Sequence, residues 1–186
     1  MATNKKHRGR DDLMQCCLAA FIRAGSLDLS LDGLAKVVGT SKRMLIHYFG
    51  GRDAIEEKAL SLLEDRLRAR FRASVFPAGT TLRSVVAALW EQTTSAENRG
   101  VLLLVTDLTR RSWSGSARAK HFFEEQQRAW NELLLEFLPD PDAVEALLQL
   151  FQGAVLIYLA TGDREKGKRA LERFTAIEAK MPRIKK

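Results

Sequence analysis

The sequence predicts an all-α fold of about nine helices, a three-helix N-terminal head followed by a longer helical body. Three observations predict it. Apolar residues recur at intervals of three and four through nearly every patterned segment, and none sustains the alternation of a half-buried strand. Helix signals bracket these segments, with Asp or Ser before their starts and Gly25, Gly39 and Gly162 just past their ends. Finally, 46% hydrophobic and 28% charged residues in 186 is ordinary for a folded chain with a sizeable core.

In the first helix Leu13, Cys17, Ala20, Phe21 and Ala24 form one stripe, with Asp11 and Asp12 at its positive end and Gly25 beyond it. A short second helix follows over 32–38, with Ser30 as N-cap, Leu34, Val37 and Val38 as inner face and Gly39 as terminator. The third begins at Ser41 and stops before Gly50 and Gly51. A long helix over 52–74 carries Ile55, Ala59, Leu62, Leu63 and Leu67 on one side. Pro77 and Gly79 then interrupt the chain. Five more helices are expected over 81–95, 98–111, 116–138, 142–161 and 164–180, with Pro139, Pro141 and Gly162 as separators. The expected domains are a head over 1–51 and a body over 52–186.

The net charge of +7 is unevenly spread. Residues 1–52 hold 9 Lys/Arg against 4 Asp/Glu, residues 53–163 hold 12 against 16, and residues 164–186 hold 9 against 3. A basic head on an acidic middle suits a polyanionic partner for the head. The uncharged run over 146–162 reads as a buried helix, being short for a membrane span and interrupted by Gln149, Gln152 and Gly153. No apolar run follows Lys5, Lys6, Arg8 and Arg10, so no signal peptide and a cytoplasmic location are expected. The only cysteines, Cys16 and Cys17, point about 100° apart on a helix and read as small core residues. His7, His47 and His121 fall in no metal-binding spacing, and neither a phosphate loop nor a GxSxG is present. No catalytic residue, metal or cofactor is therefore expected.

Residues 30–49 carry the strongest functional signal. Two helices this short are unstable alone and must pack on a third. Leu34, Val37, Leu45 and Phe49 are spaced to do so, and Gly39 permits a tight turn between crossed helices. In such a helix-turn-helix the second helix enters the major groove by its N-terminal end, which here reads Ser41-Lys42-Arg43-Met44. A hydroxyl and two cations suit phosphate and guanine edges, and methionine suits a thymine methyl. His47 and Tyr48 follow, and Arg52 opens the next helix as a further phosphate contact. Ser30 and Thr40 complete the candidate DNA-binding set. The same spacing also fits a helical hairpin with solvated charges.

The segment over 10–60 resembles the DNA-binding region of the tetracycline-repressor (TetR) family of bacterial regulators. The resemblance rests on Ala20-Phe21, Gly25, Leu34-Ala35, Gly39, Ser41-Lys42, Leu45, His47-Tyr48-Phe49 and Arg52-Asp53-Ala54-Ile55, in that order. It departs from the pattern at Ile46, where many members have a phosphate-touching tyrosine, at Arg43, where a small residue or proline is common, and at Thr40, where valine is usual. Arg43 is the departure expected to alter base preference.

The resemblance implies a homodimer whose two heads read a palindromic operator, with Lys5, Lys6, Arg8 and Arg10 as an arm toward phosphates or a solubilising tail. It also implies a dimer contact made by the last two long helices. The segment over 146–160 is apolar nearly all round and must be covered on more than one side. Leu147, Phe151, Ala154, Val155, Tyr158, Leu171, Phe174 and Ile177 are the candidates for that contact, with Gly153 allowing close approach. Trp90, Thr93, Trp113, Phe122, Phe123, Gln126 and Trp130 are candidates for an apolar pocket with polar anchors, or for plain core. The resemblance implies that an unidentified small molecule binds this region and releases a repressor from DNA, with the helix starting at Arg52 as the lever. The rival readings are an all-α small-molecule binder without a DNA role, and an interaction module whose basic end, 164–186, meets an acidic partner or anionic membrane.

Overall fold

A computed structural model describes residues 9–73 and 76–181, with backbone alone at 71–73. It contains α1 (Arg10–Ala24), α2 (Leu31–Val38), α3 (Lys42–Phe49), α4 (Arg52–Ala73), α5 (Leu82–Thr93), α6 (Arg99–Trp113), α7 (Ala117–Leu135), α8 (Pro141–Thr161) and α9 (Arg164–Glu178), and no strand among the described residues. The all-α expectation holds, and so do most boundaries, because the caps are where the local chemistry puts them. Ser30, Ser41 and Thr81 each accept a hydrogen bond from the backbone N–H three residues on. One short 3-10 turn, Ala96–Asn98, precedes α6 and carries no periodic signal. Pro141, expected to separate two helices, is instead the first residue of α8, where proline has no N–H to leave unpaired. Lys5, Lys6 and Arg8 lie outside the described residues, as do Arg183, Lys185 and Lys186.

The chain divides into two compact units. The first runs to Ala69 and takes in Leu103–Phe122. Its core is built from Leu13, Cys17, Leu18 and Phe21 of α1, Leu34 and Val38 of α2, Leu45 and Phe49 of α3, and Ile55, Ala59 and Leu63 of α4. Val37, expected on the inner face of α2, is instead exposed, and Ala35 is buried. At about 100° per residue, Leu34, Val38 and Ala35 share an arc that leaves Val37 on its outer side. Burial, with the neighbouring Cys16, pushes the Cys17 thiol up to about 11, which suits an inert core residue. Gly25 closes α1 at φ +62°, and a Cβ there would stand 2.7 Å from that of Leu103, so both backbone and space require glycine.

The second unit spans Arg70–Leu102 and the residues from Phe123 onward. Val85, Leu89 and Trp90 of α5, Leu134 of α7, Val144, Leu147 and Leu148 of α8 and Leu171 of α9 make its core. Asp140 and Asp163 cap α8 and α9 by accepting backbone N–H bonds. Arg164 ties the start of α9 back to α5, pairing with Glu91 and donating to Thr94 Oγ1 at 2.6 Å. α8 is long and apolar enough to cross a membrane by length and composition, and only 22% of that stretch is buried within this chain.

Candidate nucleic-acid interface

The turn between α2 and α3 is made by Gly39 at φ +76°, with the N–H groups of Gly39 and Thr40 both bonding to Ala35 O at 3.0 Å. Ser41 then starts α3, its Oγ accepting from Met44 N at 3.2 Å. Leu45 and Phe49 pin α3 into the core, and Lys58 lies 5.6 Å from the Phe49 ring centre. The opposite side of α3 presents Lys42, Arg43, Ile46 and His47 to solvent. Met44 and Tyr48, both expected at DNA, are half-buried, and Tyr48 meets His47 edge-on at 5.3 Å. Lys42 Nζ lies 3.0 Å from Asp32 of α2, an exposed pair of the kind that gives way readily to a phosphate. Ser30, at the start of α2, and Ser41, at the start of α3, are both exposed, and each hydroxyl that accepts from the backbone still has its own proton to donate.

Arg52, expected as a phosphate contact, is engaged within the head. Its Nε donates to Leu29 O at 3.1 Å, one Nη donates to Leu27 O at 3.0 Å, and that Nη pairs with Glu56 at 2.7 Å. These bonds fasten the loop between α1 and α2 to the start of α4. Arg52 thus braces the head through Nε and one Nη, and its side chain is still 39% exposed.

Around it runs a network that sequence reading missed. Arg111 of α6 reaches Asp28 at 2.5 Å, Asp107 at 3.0 Å and Glu56 at 3.3 Å. Arg110 bridges Asp28 and Asp107 at 3.0 and 2.9 Å. Ser26 Oγ and the Leu27 N–H donate to Asp107 at 3.0 and 3.3 Å. Desolvation would raise the Asp107 carboxyl, but bonds from Arg110, Leu27, Ser26 and Arg111 outweigh it and hold Asp107 below the usual range. Burial pushes Glu56 the other way, above its usual range, against the pull of Arg52 and Arg111. Asp107 lies within a turn of both arginines, but Glu56 and Asp28, which complete the network, lie 55 and about eighty residues away in sequence.

A depressed carboxyl contributes stability above its unfolded pKa and loses it as pH falls through the folded one. Asp107→Asn is therefore expected to cost about 2 kcal/mol at neutral pH, by removing two ion pairs and weakening the loop contacts. In urea titrations the gap between wild type and variant should close below about pH 4, as the wild-type carboxyl protonates. A gap that persists unchanged in acid would refute the ionic origin.

No protein-family model and no curated protein sequence matches the chain. Solved structures do. A TetR-family transcriptional regulator from Streptomyces coelicolor matches with a TM-score of 0.69 at 21% identity, over 96% of this chain and 84% of its own. A transcriptional regulator from Rhodococcus sp. Rha1 matches at 0.72 and 18%, over 88% and 94%. Another Rhodococcus sp. protein, assigned to the TetR family, matches at 0.70 and 19%, over 90% and 97%. The chain has the TetR-family fold.

Within this TetR-family fold the aromatic pocket candidates separate. Trp90 is buried in the second unit's core, ringed edge-on by Phe151 at 5.6 Å and Tyr158 at 6.4 Å. Phe122 is fully buried in the first unit. Trp113, at 93% exposed, stands at the end of α6 and lines no interior. Phe123, Gln126 and Trp130 are half-buried on one face of α7, where Trp130 meets Phe151 at 5.9 Å; Thr93 is half-buried at the end of α5.

The dimer candidates also divide. Leu147, Ala154 and Leu171 are buried in this chain's own core, and Phe151, Val155, Tyr158 and Phe174 pack against that core. The exposed apolar side chains of this region are Leu156 at 58%, Ile157 at 48% and Ile177. Gly153 lies on the same exposed face of α8, with nothing within 4 Å of the place a Cβ would take.

Proposed function

We propose that this chain is a sequence-specific, DNA-binding transcriptional regulator, acting in the cytoplasm as a homodimer without enzymatic activity or membrane attachment. The observation that carries the reading is the solvent face of α3, where Lys42, Arg43 and His47 stand out on a helix pinned from behind by Leu45 and Phe49. A rigid helix with outward cations, reached through a tight glycine turn, is the arrangement a major groove accepts. Residues 1–51 form the reading head, with Ser30, Thr40, Ser41 and Met44 supporting the contacts of α3, and residues 52–186 the body. Two heads held by the exposed α8 face address a palindromic operator. An unidentified small molecule, taken up beside Phe123, Gln126 and Trp130, favours the DNA-incompetent arrangement and so relieves repression.

Selection from a random duplex pool, followed by salt-titrated binding to the winning sequence, tests this. Affinity should fall steeply and linearly on a log–log plot against salt. Arg43→Ala should weaken binding about tenfold and relax one base position, while Lys42→Ala should reduce the salt slope by about one per head. Unchanged binding in both variants would dismiss α3 as the reading helix.

A further inference from the structure

We infer that Ile46 reads a thymine methyl group in the major groove, so that each operator half-site carries an A·T pair opposite the middle of α3. The inference rests on the DNA-binding reading above. Among the described residues, Ile46 is the exposed large hydrophobic on α3, at 42%. Helical geometry puts it inside the exposed arc, about 40° from Lys42 and about 60° from Arg43. Packing gives no reason for an isoleucine there, since Leu45 and Phe49 already anchor the helix and both are buried.

The chemistry of the groove selects the occupant. The flanking cations favour a polyanion over an apolar protein surface. The base edges in the major groove are nitrogens, oxygens and amino groups, with one apolar feature, the C5-methyl of thymine. Pressed against a polar edge, Ile46 would dehydrate groups it cannot bond. Pressed against the methyl, it buries apolar surface on both sides. Met44, the side chain expected to make that contact, is half-buried on the flank of the helix.

The test uses the full-length protein and the duplex selected from the random pool, with each thymine replaced in turn by deoxyuridine, which removes only the methyl. At one thymine per half-site the wild type should lose about fourfold in affinity, the value of one buried methyl. Ile46→Ala should bind thymine and deoxyuridine alike at that position and retain the wild-type dependence on salt; circular dichroism checks its fold. Wild-type indifference to every methyl overturns the inference while leaving DNA binding intact. So does a selected site without a thymine, or an unchanged thymine preference in Ile46→Ala. Enrichment of no sequence at all fails the DNA-binding reading itself, and the inference with it.

Discussion

Replacing Trp90 with alanine is expected to lower the unfolding free energy by about 3–5 kcal/mol, the usual cost of emptying a large aromatic site in a packed core. The indole is 1% exposed, and Phe151 and Tyr158 close on its faces. Its far edge is accommodated by Gly167 of α9, where a Cβ would lie 2.5 Å from ring carbons Cη2 and Cζ2. The two positions are therefore complementary: α9 approaches α5 this closely because residue 167 has no side chain. Gly167→Ala alone should cost about 1–3 kcal/mol through overpacking. In the Trp90→Ala background it should cost much less, and that coupling distinguishes direct contact from two separate defects. Chemical denaturation of the four variants measures it. A loss below about 1 kcal/mol for Trp90→Ala would mean that the core does not depend on the indole.

Ile157→Glu is expected to convert the protein to a monomer and to weaken operator binding by about a hundredfold, because each head then binds without the effective concentration its twin provides. From Gln149 onward the exposed side of α8 carries Gln149, Gln152, Gly153, Leu156, Ile157 and Ala160 without a charge, and its acidic residues, Asp142 and Glu145, are confined to the N-terminal end of the helix. A carboxylate in the middle of that face must be desolvated unpaired or the face must open. Since Ile157 is about half exposed, the variant should keep its fold. Sedimentation at micromolar concentration and binding to the selected duplex give the two readouts. A wild-type monomer, or a dimeric Ile157→Glu protein, would remove the proposed interface.

Most of the architecture was legible in the sequence because it is locally encoded. Ser30, Ser41, Gly25, Gly39 and Gly162 mark helix ends by chemistry acting within four residues, and the structure uses all five as caps. The buried stripe of α1 follows the helical repeat, although Ala24 falls outside it. The exposure of the candidate side chains was legible in part. Lys42, Arg43 and His47 do stand on the open face of α3, while Met44 and Tyr48 turn toward its flanks and Ile46 takes the outward place.

By itself, then, the sequence determined an all-α chain, the places where its helices begin and end, and a short capped helix bearing cations after a glycine turn. What only the tertiary structure decided are the pairings between distant segments. Arg52 shows in the sequence only as a cation opening a helix, and the fold brings the carbonyls of Leu27 and Leu29 within its reach. Trp90 and Trp113 are the same residue type on helices of similar pattern, yet one is sealed by Gly167 and the other is bare. α8 is the clearest instance. A helix apolar all round has no polar side to turn outward, so its periodicity does not say which face its own core takes. Packing against α9 chose Leu147 and Ala154 for the interior and left Leu156 and Ile157 outside.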